Sequence, residues 1–136
     1  MSTRSLGLDI GDKWIGVALS DPMGILASPL TIVSRRDDEK DIETVLNIAR
    51  QHQVGQIVAG LPRSMDGSLG KQAEKVREFT QKLADASQIP VALQDERLTT
   101  VAAKRLLHTA KPGKKVRDDA AAAALILQSY LDKERD

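Results

Sequence analysis

Residues 6–21 read "LGLDIGDKWIGVALSD". The runs 6–10 and 14–20 are apolar and β-prone, and the polar turn "GDK" between them predicts a hairpin. Yet Asp9 stands inside the first run, between Leu8 and Ile10. A carboxylate buried among apolar neighbours is costly unless a hydrogen bond or an opposite charge offsets it. Asp9 therefore either takes a cation, faces solvent from an edge strand, or caps the turn. Gly7, Gly11 and Gly16 do not form a dinucleotide fingerprint, because no strand-to-helix turn follows them. Gly11 suits the hairpin turn instead.

Outward from the hairpin, a third strand is expected over 28–33, after the breaks at Pro22, Gly24 and Pro29. The period then changes. Ile42, Val45, Leu46 and Ala49 recur at helical spacing and predict a helix over 38–53. "QIVAG", 56–60, reads as a buried strand that ends at Gly60-Leu61-Pro62. A helix over 70–87 would turn Ala73, Val76, Phe79 and Leu83 inward. A strand at 90–96 follows, then a helix from Thr99 or Thr100 to about His108. Residues 109–117 read as a basic loop, and Asp118 or Asp119 would cap a last helix ending near Leu131. Three antiparallel strands followed by alternating helices and strands predict an α/β layered fold with a mixed sheet. No internal repeat or linker divides the 136 residues, so one domain is expected.

Apolar residues make up 41% and charged residues 29%, a globular balance. Phe, Trp and Tyr occur once each, so the core must come from Leu, Ile, Val and Ala. The absence of cysteine excludes disulfides, thiol catalysis and cysteine metal sites. No apolar run reaches the ~18 residues of a membrane span, and the first residues carry no secretory pattern. A cytoplasmic protein is expected. His52 and His108 have no partner at metal-ligand spacing and read as helix-surface residues.

Net charge is only +1, but it is unevenly spread. Between positions 97 and 117 stand Arg97, Lys104, Arg105, Lys111, Lys114, Lys115 and Arg117, with no acid. Such a stretch attracts phosphates; its plainer role is a solvated helix face and loop. Arg63 and Lys71 flank the Gly-rich "GLPRSMDGSLG", whose helix N-terminus could cradle a phosphate or simply end a surface loop.

Three acids occupy unusual places: Asp9 inside the first strand, Glu96 at the C-terminal end of the last strand, and Asp119 at the start of the last helix. Asp119 alone would be an ordinary N-cap, and Glu96 could pair with Arg97. Ligand sites in open α/β sheets lie beyond the carboxyl ends of the strands. Three carboxylates meeting there would repel unless hard cations neutralised them, and Mg²⁺ suits such oxygen donors. Two ions roughly 4 Å apart could polarise a phosphodiester.

Four segments, "GLDIGDKWIGVALSD", "VAGLPRSMDGSLGKQAEKVREF", "LQDERLTTVAAKRLL" and "DDAAAAALILQSYL", occur in that order. Together they resemble the YqgF/RuvX family of RNase H-like nucleases over nearly the whole chain. The resemblance implies an RNase H-like fold: a five-stranded mixed sheet, first three strands antiparallel, flanked by helices. It implies that Asp9, Glu96 and Asp119 are the catalytic, metal-binding acids, with Mg²⁺ or Mn²⁺ as the ions. Family members are described as Holliday junction resolvases or as nucleases of pre-16S rRNA, acting at its 5′ end. Two departures stand out. "RDDAAA" has two acids where one is usual; register favours Asp119, with Asp118 as the substitute. Trp14 replaces a commonly basic residue, and either stacks on a base or packs partly buried.

The expected activity is metal-dependent hydrolysis of structured RNA, with pre-16S rRNA favoured. A four-way DNA junction is the alternative substrate and would need a dimer; the sequence leaves monomer and homodimer open. A non-catalytic RNA-binding factor shares the fold. An actin-like ATPase also opens with an "LGLDIG"-like strand but would need two such domains.

Overall fold

The computed structural model describes residues 4–62, 70–95 and 115–135, the last stretch with side chains from 120 to 134. Leu6, Leu8 and Ile10 alternate with Gly7 and Asp9 along β1 (Arg4–Ile10), so the strand's two faces differ in character. β2 (Trp14–Ser20) and β3 (Ala27–Ser34) follow, then α1 (Asp38–Gln51), β4 (Val54–Leu61), α2 (Lys71–Ala86), β5 (Val91–Asp95) and α3 (Lys115–Arg135). The strands form one mixed sheet in the order β3-β2-β1-β4-β5. β1–β2 and β2–β3 are antiparallel, whereas β4 runs parallel to both β1 and β5. β1 is therefore the central strand, which removes the edge-strand explanation of Asp9.

One face of the sheet packs under α1 and α2. Leu6, Leu8, Ile15, Val17 and Ile57 meet Val45, Val76, Phe79 and Leu83 there, all buried. Full burial of such side chains contributes roughly 1.5–3 kcal/mol each. Asp37 caps α1 by accepting the N–H of Lys40 at 2.8 Å. The other face carries α3, packed through Ala123, Ala124, Ile126, Leu127 and Leu131 on Ala18 and Val58.

One local expectation needs correction. α3 begins at Lys115, not at Asp118 or Asp119, and continues to Arg135, beyond Leu131. Lys and Arg are good helix formers, so Lys115 and Arg117 belong to helix rather than to a loop. Gly11 stands in the expected hairpin turn, its N–H donating to the Trp14 carbonyl. Its need is space: a Cβ there would stand 3.0 Å from the carbonyl oxygen of Trp14. The expected helix between 99 and 108 lies outside the described residues.

Candidate active site

Asp9 is the next-to-last residue of β1, half-buried, and faces the α3 side. Its neighbour on β2 is Gly16, which places no side chain beside the carboxylate. Asp9, Gly11, Asp12, Lys13 and Trp14 line a cavity of about 330 Å³ at this end of the sheet.

α3 reaches the same place because β1 lets it come close. A Cβ on Gly7 would stand 2.7 Å from Leu127 Cβ and 2.9 Å from the Ala123 carbonyl oxygen. The helix runs antiparallel to β1. Its later residue Tyr130 accepts a 2.7 Å hydrogen bond from Gln56 Nε2, and Gln56 pairs with Ser5 near the start of β1. The first turns of α3 therefore lie toward the carboxyl end of β1, where Asp9 stands.

The turn after Asp9 is held by backbone atoms and one arginine. Gly11 N–H donates to the Trp14 carbonyl at 3.0 Å, and Arg35 N–H donates to the Lys13 carbonyl at 2.9 Å. The Arg35 guanidinium donates to the Gly11 carbonyl at 2.7 Å, to Asp41 at 2.8 Å and to Asp38 at 2.9 Å. It also lies over the Phe79 ring, 5.2 Å from its centre. Asp41 is fully buried and also accepts the Arg36 N–H. Removing either partner would leave a buried charge uncompensated, which is strongly destabilising. "RRDDEKD", 35–41, looks like a solvated charge run. Its hidden signal is Asp41 itself, four residues before Val45 on the apolar stripe of α1.

Of the acids expected to form the site, the structure describes Asp9 in full. Asp118 and Asp119 are described as α3 backbone, and Glu96, directly after the end of β5, lies outside the described residues. Arg63, Arg97, Lys104, Arg105, Lys111 and Lys114 also lie outside them, as do the side chains of Lys115 and Arg117. Lys71 is exposed at the start of α2. Trp14 is 40% exposed and lines the same cavity as Asp9. Among the described residues no group of three or more metal-binding side chains assembles. The hard carboxylate oxygens of Asp9 fit Mg²⁺ or Mn²⁺.

The model of the RuvX family, described as Holliday junction resolvase, matches residues 3–133. The chain belongs to the RuvX family. A relative from Dehalococcoides mccartyi named "Putative pre-16S rRNA nuclease" is 50% identical over 125 residues, covering 91% of this chain and 94% of that protein. A relative of the same name from Thermoanaerobacter pseudethanolicus is 45% identical over 137 residues, covering 98% and 99%. Among solved structures, Thermus thermophilus RuvC in complex with a Holliday junction substrate superposes with a TM-score of 0.65 at 14% identity, over 97% of this chain and 96% of that one. The fowlpox virus resolvase with Holliday junction DNA gives 0.59 at 12%, over 98% and 100%. These likenesses show the RNase H-like fold of this RuvX member. No helix among the described residues is long and apolar enough to cross a membrane.

Proposed function

We propose that this RuvX-family chain is a single-domain, cytoplasmic, divalent-metal-dependent endonuclease that processes the 5′ end of pre-16S rRNA. The observation that carries the reading is Asp9, on the central strand, at the end to which the first turns of α3 are directed. Asp9, Glu96 and Asp119 would hold Mg²⁺ or Mn²⁺, which when bound supplies polarisation of the phosphodiester and a more acidic water.

The register of α3 supports Asp119 over Asp118. Position 119 is one helical turn, roughly 6 Å, before Ala123, and Asp9 is two strand residues, roughly 7 Å, beyond Gly7. Both advance together from the Gly7–Ala123 approach. Position 118 falls on the side of the helix away from the stripe formed by Ala120, Ala123, Ala124 and Leu127. Arg63, Lys71, Arg97, Lys104, Arg105, Lys111, Lys114, Lys115 and Arg117 would supply the cations that neutralise substrate phosphates.

A four-way DNA junction is the second reading, favoured by the description of the family model. The deciding assay compares cleavage of the 5′ precursor of small-subunit rRNA with cleavage of a four-way junction, in Mg²⁺ and in Mn²⁺. Wild type should cut the precursor preferentially, and Asp9→Asn should cut neither. Preferential resolution of the junction would replace RNA by DNA, and full activity of Asp9→Asn would remove the acid site. Chelation-resistant binding with no cleavage of either substrate would point to an assembly factor.

A further inference from the structure

Trp14 is exposed beside a carboxylate, and three observations show how it is presented. First, it shares the α3-side face of the sheet with Asp9. Asp9 pairs with Gly16, and Trp14 is two residues from Gly16 on the same strand. Diagonal neighbours of this kind lie within reach of an aromatic side chain, and Gly16 places no side chain of its own between them.

Second, Trp14 is not part of either hydrophobic cluster. It lines the 330 Å³ cavity with Asp9 and Lys13, a size at the lower end of small-ligand sites. Third, its backbone is fixed before any ligand arrives, by the bonds to Gly11 N–H and around Lys13 described above. In one cavity, Lys13 and the exposed indole match a nucleotide's phosphate and flat base, while Asp9 would meet that phosphate only through a divalent cation.

We propose that the Trp14 indole is a stacking platform for one unpaired nucleobase adjacent to the phosphate presented to Asp9. The inference rests on the nuclease reading above and adds to it a substrate feature: a base available outside the duplex stack, as at a single-stranded end, bulge or splayed branch. Bases paired in the interior of a duplex cannot offer a free face to a side chain without unstacking. Lys13, in the same cavity, meets the neighbouring phosphate.

Trp14 is the chain's single tryptophan, so its fluorescence reports on this contact alone. The full chain is titrated with single-stranded RNA, single-stranded DNA and a blunt duplex, in EDTA and again in Ca²⁺, with affinity followed independently by anisotropy of labelled strands. Single strands should quench the emission saturably, and the duplex should not. An abasic site in the quenching strand should remove the effect. Trp14→Phe should retain most of the affinity, and Trp14→Ala should weaken single-strand binding roughly 5- to 100-fold with an unchanged melting temperature.

Equal quenching by duplex, unchanged affinity of Trp14→Ala, or no binding of either strand type would overturn the proposal. Comparing RNA with DNA shows which backbone the base comes with. Cleavage by Asp9→Asn is followed separately. If that variant still cuts while Trp14 is quenched, the acid site is wrong and the stacking platform stands; the reverse pattern removes the platform alone.

Discussion

On the α1/α2 side, the sheet presents Leu6, Leu8, Ile10, Ile15 and Val17; on the α3 side the same strands present Gly7, Asp9, Gly16 and Ala18. Large side chains on the first side interlock with α1 and α2 and fill a core. Small ones on the second let the backbone of α3 approach β1 directly, which only glycine permits at position 7. One face supplies cohesion, and the other gives up apolar bulk to bring a helix against an acidic strand end. The two are built from alternate residues of the same strands, so a site can be placed one residue from the core without opening it.

The comparison is most sharply broken at Asp9. Asp9→Asn should lower cleavage by more than roughly a thousandfold, over ~4 kcal/mol of barrier, with little change in thermal stability. A comparable loss of stability would mean that Asp9 belongs to the cohesive face. Leu8→Ala, one residue away on the other side, should do the opposite. It should cost about 2–5 kcal/mol in urea unfolding while turnover per folded molecule persists.

Gly7→Ala should act on both readouts at once. The added methyl meets Ala123 and Leu127 head-on, so about 1–3 kcal/mol of stability should be lost. Cleavage should fall as α3 is lifted, and a variant that loses stability yet cuts at the wild-type rate would uncouple the helix from the site.

The smallest effect belongs to the far end of α3, where Gln128 accepts from Ala27 N–H and donates to the Ile25 carbonyl, both at 2.9 Å. That loop is shaped by Asp21, whose carboxylate accepts the N–H groups of Leu26 and Ile25. These bonds, Leu26 first, hold its pKa below the ordinary value. A depressed carboxylate pKa gives stability that is present above the unfolded value and lost as pH falls through the folded one. The protection of the Ile25 and Leu26 amides, measured against intrinsic exchange at each pH, should therefore fall as pH drops through the folded Asp21 pKa, and Asp21→Asn should remove that pH dependence without touching cleavage.

Much of this contrast is legible in the amino-acid order. Short apolar runs broken by a polar turn mark β1 and β2, and helical spacing marks α1 and α2, because burial imposes those patterns. The family motifs single out Asp9 for the same reason that physics does: an acid in an apolar strand needs a partner. What escapes is whatever depends on tertiary contact. Asp41 looks solvated because its partner Arg35 arrives from the end of β3. The start of α3 is misplaced because a basic run after Pro112-Gly113 has the composition of a loop, while Lys and Arg continue a helix readily. Trp14 reads equally as a stacking ring or a partly buried packing ring, because only the strand register puts it on the same face as Asp9.

The turn from Gly11 to Trp14 is held through Gly11 N–H and C=O and through the carbonyls of Lys13 and Trp14. None of these atoms belongs to a side chain of residues 12–14. The turn is thus a socket whose frame is independent of what is plugged into it, and side chains there are exchangeable at little cost to the fold. An aromatic ring can replace a basic group at position 14 without reshaping the strand that carries Asp9. Substrate preference can drift at this position while the acid beside it stays in place.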